Sequence, residues 1–253
     1  MKAIHIAGSL LTAGLALSGC DNSNNVHTPL LGTGPGPTTQ TSNVGTNTGS
    51  TILKSSYKVT LKNLTYAQPM APMAVAYHSS AMSLFEVGQH AGLGLEKLAE
   101  GGDNSSLLSE LSSNTSVTSS IGGTGLILPS QSDTVTIEGD SSECISVAAM
   151  LVNTNDAFAG VDCVDVSTLK TGETIRVTLP TYDAGTEANS ETGSSIPGPA
   201  GGGEGFNALR DDNDFVSVHS GAVTKDDGLS TSALTQAHKW DNPAASVIVE
   251  RLQ

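Results

Sequence analysis

The sequence is poor in aromatic and basic side chains. Aromatic residues make up 4% of its 253 residues, and Lys plus Arg number 11 against 25 Asp plus Glu, a formal net charge of −14. A chain of this charge is repelled by nucleic acid phosphates and by acidic lipid surfaces. The composition therefore argues against nucleic acid as a partner and predicts a core of Val, Ile, Leu and Ala.

Several catalytic motifs are also missing. The sequence has no Gly-x-Ser-x-Gly elbow, no glycine-rich loop between a strand and a helix, and no closely spaced histidine pair of the zinc hydrolase type. His78 and His219 each end an apolar stretch and could meet in space. A metal-assisted envelope hydrolase that uses His78 or His219 with nearby carboxylates is therefore the alternative functional hypothesis.

Long apolar runs are confined to the start of the chain. Lys2 precedes a mostly apolar stretch over residues 3–17, which is too short to span a bilayer and is typical of a secretory signal. The tetrapeptide at residues 17–20 (LSGC) resembles a bacterial lipobox. We therefore predict a signal peptide over residues 1–19 and a lipid anchor on Cys20, which would place the protein at the bacterial cell envelope, on either its periplasmic or its cell-surface side.

The segment after the predicted anchor has too few apolar residues to form a core. Residues 20–51 are mostly Asn, Thr, Ser, Gly and Pro, so we predict a flexible low-complexity linker with a root-mean-square span of about 30 Å. Residues 52–253 have the length of one domain. Within it, residues 193–205 are rich in Gly and Pro, which predicts a long loop that is either functional or mobile.

Cysteine is scarce as well. Apart from Cys20, the chain contains only Cys144 and Cys163. An even pair in an exported protein favours a disulfide over a metal site. The midpoint of the pair lies in a polar break between two apolar runs, so the spacing predicts a cross-strand bridge that closes a hairpin.

Hydrophobic periodicity indicates an all-β domain. Alternation over residues 57–65 is typical of a half-buried strand, and helical patterns are limited to residues 93–100 and 106–111. We predict an antiparallel β-sandwich of about eight strands, with one or two short helices and long loops. The other strand candidates are residues 73–77, 134–138, 145–152, 174–179, 215–219 and 246–252.

Two acidic segments follow predicted strands. They are residues 153–162 and 180–187, where Asp and Glu lie beside turn-forming residues. Because loops at one end of a sandwich converge, carboxylates from both segments could share a cation that takes about 6–8 oxygen ligands, as calcium does. Solvated turn residues are the alternative interpretation.

The same segments carry a family resemblance. Residues 155–162 (NDAFAGVD) and 182–187 (YDAGTE) resemble the two most recognisable motifs of the spondin amino-terminal (F-spondin/mindin-like) domain family, in its bacterial lipoprotein branch. Residues 84–89 (LFEVGQ) and 242–252 (NPAASVIVERL) are similar to that branch too. The resemblance implies an eight-stranded antiparallel sandwich that binds calcium through loop carboxylates.

Ligands can be transferred by motif. The resemblance implies Asp156 and Asp183 as calcium ligands, with a third glutamate on the strand before the first motif. Glu138 lies closest to that place once a gap of one residue is allowed, and Glu143 competes with it. The chain departs from the animal members at Ala157, where tryptophan is usual, and at Glu187, where aspartate is usual.

Three functional hypotheses follow. The leading one is a lipid-anchored, calcium-binding adhesion or matrix-interaction module, which is not an enzyme and has an unidentified envelope or extracellular protein or glycan as partner. The metal-assisted hydrolase is the second. The third is a purely structural envelope protein whose acidic loops bind nothing specific.

Overall fold

The structure is a computed structural model, and it describes residues 54–140 and 142–253. The predicted signal peptide over residues 1–19, the lipid anchor at Cys20 and the linker over residues 20–51 lie outside the described residues. No helix within the described ranges is long and apolar enough to cross a membrane.

Two antiparallel sheets form the body of the described chain. The smaller sheet has four strands in the order β4-β1-β10-β7, and the larger has six in the order β3-β2-β5-β6-β8-β9. The strands are β1 (Ser55–Asn63), β2 (Ala74–His78), β3 (Val117–Gly122), β4 (Ser132–Gly139), β5 (Cys144–Met150), β6 (Ala157–Asp165), β7 (Thr174–Leu179), β8 (Thr181–Asp183), β9 (Ser217–Val218) and β10 (Ala245–Arg251). The predicted antiparallel sandwich is confirmed.

The sandwich core follows from alternation along β1. Tyr57, Val59 and Leu61 point inward and are buried, while Lys58 and Lys62 lie on the outer face. The inward side chains meet those of β2 and β5 in the facing sheet, and the rings of Tyr57 and Tyr77 lie 5.3 Å apart. Burial of these apolar side chains is the main favourable term in folding this domain.

Two helices cover the outer face of the larger sheet. They are α1 (Leu93–Gly101) and α2 (Ser105–Ser113), which match the two predicted helical stretches within one to two residues. Small side chains on β2 and β5, such as Ala74 and Ala148, let Leu98 of α1 and Leu107 of α2 pack closely. Gly102 ends α1 with a φ of 68°, a conformation that favours glycine.

The described residues form ten strands, whereas about eight were predicted. β3, β6 and β8 were not predicted, and the predicted strand at 215–219 shrinks to the two residues of β9. β6 is covered on both faces over its first half, so its sequence shows no polar–apolar alternation. The segment that contains Asp156 was predicted as a loop, and the structure places the strand directly after that residue.

Cys144 and Cys163 form a disulfide that links β5 to β6, as predicted. Their Cα atoms are 4.5 Å apart, and the bond closes the β5–β6 hairpin at a point where the register of the two strands shifts. The backbone N–H of Cys163 donates to Ser146 Oγ at 2.9 Å, which ties the bulged residue to β5. The bridge therefore fixes one end of the hairpin whose other end carries Asp156.

Removal of this bridge should lower the free energy of unfolding. For a sequence separation of 19 residues, the chain-entropy model gives about 3 kcal/mol. We expect Cys144→Ala/Cys163→Ala to lose about this amount in urea unfolding followed by circular dichroism. Reduced wild-type protein serves as the control and should match the double variant; an unchanged unfolding midpoint in both samples would contradict a stabilising bridge.

Candidate metal centre

The two predicted aspartates lie side by side at one end of the larger sheet. Asp156 directly precedes β6, and Asp183 is the last residue of β8. The β6–β8 register pairs Ala157 with Asp183, and the N–H of Ala184 donates to the backbone carbonyl of Asp156 at 3.3 Å. Strand pairing therefore brings the two predicted acidic segments together.

Asp156 is fully buried, with 0% of its surface exposed. Its Oδ2 atom accepts hydrogen bonds from the N–H groups of Thr186 at 2.8 Å and Glu187 at 3.2 Å. Its Oδ1 atom has no hydrogen-bond partner. Burial, and then the charge of Asp183, raise the pKa of Asp156 to about 7. Asp156 thus presents a buried carboxylate oxygen without a hydrogen-bond partner, next to a second carboxylate.

Asp183 is held by its own loop. Its Oδ1 accepts from the N–H of Gly185 at 2.8 Å, and its Oδ2 accepts from Asn189 Nδ2 at 2.6 Å. Gly185 has a φ of 72°, and a Cβ there would lie 2.3 Å from the carbonyl oxygen of Phe215. The turn therefore requires glycine, and it fixes the direction of the Asp183 carboxylate.

Three further buried glutamates extend the group. Each has one carboxylate oxygen without a hydrogen-bond partner: Glu100 Oε1, Glu187 Oε2 and Glu191 Oε2. Burial is the largest cause that raises the pKa of Glu187 to about 8 and that of Glu191 to about 7. We call Glu100, Asp156, Asp183, Glu187 and Glu191 the acidic pocket.

No member of the acidic pocket forms an ion pair within residues 54–140 and 142–253. Burial is the largest of the causes that act on the pKa of Glu100, and the charge of Arg210 is the smallest. Arg210, on a neighbouring segment, pairs instead with Glu96 and Asp214. Buried carboxylates without a partner are costly and normally bind a proton or a cation.

The donor atoms of the pocket are carboxylate oxygens, the type of ligand that a hard cation prefers. Calcium accepts carboxylates, backbone and side-chain carbonyls and water. In the part of the chain that the structure describes, no three or more Asp, Glu, His or Cys side chains are arranged to hold one ion. The side-chain set available to a single ion is therefore the Asp156–Asp183 pair, completed by neutral oxygens or by adjustment of Glu187, whose backbone N–H already bonds to Asp156.

The structure does not bring Glu138 to these aspartates. Glu138 lies on β4 and pairs with Ser56 at the start of β1, with its Oε1 accepting from Ser56 Oγ at 3.4 Å. That end of the sandwich carries the start of β5, whereas Asp156 follows the end of β5. The seven residues of β5 separate these two ends of the sandwich, a distance of about 20 Å. Glu138 therefore does not lie with the two aspartates, and Glu187, whose backbone N–H donates to Asp156 Oδ2 at 3.2 Å, is a nearer carboxylate.

Glu143, the competing candidate, lies at the same distant end. It directly precedes β5 and accepts a hydrogen bond from the N–H of Ser80 at 3.4 Å. Both candidate glutamates were chosen because they precede the first motif in sequence. Strand direction explains the error, because β5 carries the chain from one end of the sandwich to the other.

The two histidines do not meet. His78 ends β2 and His219 follows β9, with β5, β6 and β8 between these strands in the sheet. His78 is buried, with Nδ1 2.8 Å from the carbonyl oxygen of Ser79 and Nε2 2.7 Å from Ser146 Oγ. Its surroundings are those of a structural imidazole, and the expected meeting of His78 with His219 is wrong.

His219 lies nearer the pocket but acts on it indirectly. Its Nδ1 accepts from the N–H of Gly221 at 2.9 Å, so Nε2 carries the proton and donates to Asn189 Oδ1 at 3.3 Å. Asn189 in turn donates to Asp183. The indole of Trp240 packs 5.3 Å from the imidazole. His219 therefore supports the orientation of Asp183 through Asn189.

The Gly- and Pro-rich loop over residues 193–205 packs on the β5–β6 turn that precedes Asp156. The N–H of Gly198 donates to the carbonyl of Val152 at 2.8 Å, and the N–H of Ala200 donates to Asn153 Oδ1 at 2.9 Å. Ile196 is buried against Ala222 and Leu234. The loop is therefore anchored over the β5–β6 turn that leads into Asp156.

Sequence reasoning did not identify several pocket residues. Glu187 was noted only as a replacement for aspartate, while Glu100, Glu191 and Asn189 were not singled out. Glu191 has a φ of 57°, an unusual backbone conformation for glutamate that no local pattern predicts. For Glu100, the one available signal was its position at a helix end just before two glycines.

Fold and site together define a class: a helix-capped antiparallel β-sandwich with a buried acidic pocket where its loops meet. Residues 62–197 match the Spondin_N family, which covers more than half of the chain. The chain therefore belongs to the Spondin_N family, and the resemblance found in the sequence is confirmed. This is a non-enzymatic domain type of the extracellular-matrix and adhesion class. No curated protein matches the chain significantly.

Stability without metal should fall as the pH rises. The pKa values of Asp156, Glu187 and Glu191 in the folded state, about 7, 8 and 7, lie above their ordinary values of 3.8, 4.5 and 4.5. The folded protein then holds protons that the unfolded chain has released. This stability is fully present below about pH 4 and is lost as the pH rises through 7 and 8.

Thermal unfolding in a chelator should reveal this trend. We expect the melting temperature of the wild-type protein to fall between pH 5 and pH 8. Asp156→Asn should flatten the decrease, and Asp241→Asn, the same change at an exposed position, should leave it intact. A melting temperature that is constant or that rises over this range would contradict unpaired buried carboxylates.

Proposed function

We propose that this protein is a lipid-anchored, calcium-binding adhesion or matrix-interaction module at the bacterial cell envelope. The observation that carries the proposal is the buried Asp156 Oδ1 atom, which has no hydrogen-bond partner and lies beside Asp183, where no ion pair of the described residues reaches it. Calcium would supply that charge. Asp156 and Asp183 would hold the ion, with Glu187 as the nearest additional carboxylate.

The role of the ion would be structural. Asp156 belongs to the β5–β6 turn, whereas Asp183 ends β8 and Glu187 lies in the segment after it. An ion held by Asp156 and Asp183 would join the two segments and, through Asn153, would also restrain the loop over residues 193–205. Calcium would thereby order the surface that these loops present to a partner.

The partner would be an envelope or extracellular protein or glycan. The domain class supports an adhesive or matrix role, and the net charge of −14 disfavours nucleic acid. The lipobox-like LSGC at residues 17–20 supports attachment to a membrane through Cys20. Neither His78 nor His219 is placed for a hydrolytic reaction, since both are buried and hydrogen-bonded, so the hydrolase has no supporting observation.

Calcium binding can be measured through thermal stability. At free calcium about 100-fold above its dissociation constant, binding to the folded state alone adds about 2.7 kcal/mol, or roughly 5–10 °C in melting temperature for a domain of this size. We expect this rise for the wild-type protein, measured by differential scanning fluorimetry in calcium against chelator. Asp183→Asn should abolish the rise, because it removes one of the two ligand charges.

The matched control is Asp241→Asn, which removes the same charge from an exposed position. It should keep the full calcium-dependent rise. If wild-type protein melts at one temperature in calcium and in chelator, and titration calorimetry shows no heat of binding, the calcium site does not exist.

Adhesion can be tested on cells that display the protein. We expect cells with wild-type protein to attach to matrix-coated or glycan-coated surfaces in calcium and to detach in chelator. Asp183→Asn should reduce attachment without changing the amount of protein on the membrane. Cys20→Ser should instead release the protein from the membrane fraction and abolish palmitate labelling. Equal attachment by cells with wild-type protein and by cells without it would contradict the adhesive role.

A further inference from the structure

The only tryptophan of the chain lines a cavity in the segment before β10. Gln236, Lys239, Trp240 and Asp241 surround a volume of about 340 Å³. This volume lies at the lower end of the range of about 300–1,000 Å³ that small-molecule sites occupy. None of the four residues belongs to the acidic pocket, so we treat this space separately and call it the Trp240 cavity.

The indole that forms one wall of the Trp240 cavity is held in place from behind. Its Nε1 donates to Thr181 Oγ1 at 3.0 Å, and its ring lies 5.3 Å from the imidazole of His219. The indole also packs against the apolar cluster that contains Ile196, while part of its surface stays exposed. Trp240 therefore presents a fixed apolar wall, and a ligand would not have to order it on binding.

The polar side chains of the cavity stand on a fixed backbone. The N–H of Gln236 donates to Asp226 Oδ2 at 2.7 Å, and Gln68 Nε2 donates to the carbonyl of His238 at 3.0 Å. Within residues 54–140 and 142–253, the side-chain amide of Gln236 and the carboxylate of Asp241 form no hydrogen bond with the protein, and both residues are exposed. These two groups are therefore available to a ligand.

The charges around the Trp240 cavity disfavour an anion. Lys239 Nζ donates to Asp227 Oδ1 at 2.8 Å, so its positive charge is already paired. Asp226 and Asp241 add negative charge on the same segment of the surface. Because like charges repel, a neutral ligand suits this cavity better than a phosphorylated, sulfated or carboxylated one.

The combination of groups matches a saccharide. A pyranose ring carries C–H groups that can pack on an indole, and hydroxyl groups that both donate and accept hydrogen bonds. The Asp241 carboxylate accepts, whereas the Gln236 amide donates and accepts. A purely apolar ligand would instead cover both groups without giving them partners, which is unfavourable.

We infer that the Trp240 cavity binds a neutral glycan, with a sugar ring against the indole of Trp240 and its hydroxyl groups bonded to Gln236 and Asp241. The inference rests on the adhesive function proposed above, and it narrows the partner to a glycan without acidic groups. Through His219, which packs on Trp240, the cavity adjoins the side chains that orient Asp183.

Tryptophan fluorescence tests the inference directly, because emission comes from Trp240 alone. The probes are neutral oligosaccharides of glucose, mannose, galactose and N-acetylglucosamine, added to the purified full-length chain in the absence of sugar-headed detergents. At least one probe should change the emission saturably and protect it from quenching by acrylamide. No change with any probe up to millimolar concentration, or tighter binding of sialylated or sulfated probes, would overturn the inference.

Substitutions locate the binding site. Gln236→Ala should weaken oligosaccharide binding about three- to tenfold, the effect of losing one hydrogen bond, and should keep the melting temperature. Gln131→Ala, the same change at an exposed position outside the cavity, should bind as the wild-type protein does. Trp240→Phe, measured by titration calorimetry, should also bind more weakly. Equal affinity of wild-type protein and both cavity variants would overturn the inference.

Other outcomes separate this inference from the proposed function. A calcium-dependent rise in melting temperature without binding of any oligosaccharide would overturn the glycan site and keep the calcium site. Displaying cells that attach to enzymatically deglycosylated matrix protein as strongly as to the intact form would also overturn it, since the partner would then be protein. Oligosaccharide binding by purified protein whose displaying cells attach to no surface would support the glycan site and contradict the adhesive role.

A second measurement does not depend on any variant folding. Wild-type crystals soaked in the tightest-binding oligosaccharide should show a sugar ring against Trp240, in contact with Gln236 and Asp241. A sugar bound only at another place on the molecule would overturn the inference.

Discussion

Mutual repulsion among buried carboxylates is the constraint on which the end of the domain around Asp156 depends. Asp156, Asp183, Glu187, Glu191 and Glu100 are enclosed together, and the ion pairs of the described chain leave all five out. Backbone N–H groups supply partial compensation. A dipole offsets a buried charge only in part, so the remaining balance must come from bound protons or bound cations.

The rest of the fold keeps this repulsion from opening the pocket. β5 and β6 form one hairpin, which the Cys144–Cys163 bridge closes at the end opposite to Asp156. Between these ends β5 is buried on both faces, with the sandwich core on one side and α1 and α2 on the other. The free energy gained by burying the apolar side chains of this hairpin thus opposes the repulsion between carboxylates at the turn that leads into Asp156.

Sequence patterns were informative where one face of an element meets water. The alternation of apolar and polar residues predicted β1, and the pair Gly101-Gly102 marked the end of α1. Each of these elements has one buried face and one solvated face. β6 was missed because burial on both faces removes the alternation. β8 has only three residues and was missed because so short an element has too few positions to show a period.

The candidate site was predictable only in part, for related reasons. Asp156 and Asp183 lie in segments whose motifs could be recognised, and the pairing of Ala157 with Asp183 places them together. The third carboxylate could not be found by proximity in sequence, because Glu138 is separated from Asp156 by the length of β5. Glu100 reaches the pocket through the packing of α1 on the sheet, a tertiary contact that no local pattern encodes.

Hydrogen bonds at the two ends of β1 show where the acidic pocket lies along that strand. β1 starts at Ser55, next to Gly139 of β4, and it ends at Asn63. From Asn63 a hydrogen-bond path leads through the Gln68 carbonyl and the Gln68 side chain to Asn153, in the turn before Asp156. The acidic pocket therefore lies at the far end of β1, about 30 Å from the point where the chain enters the domain.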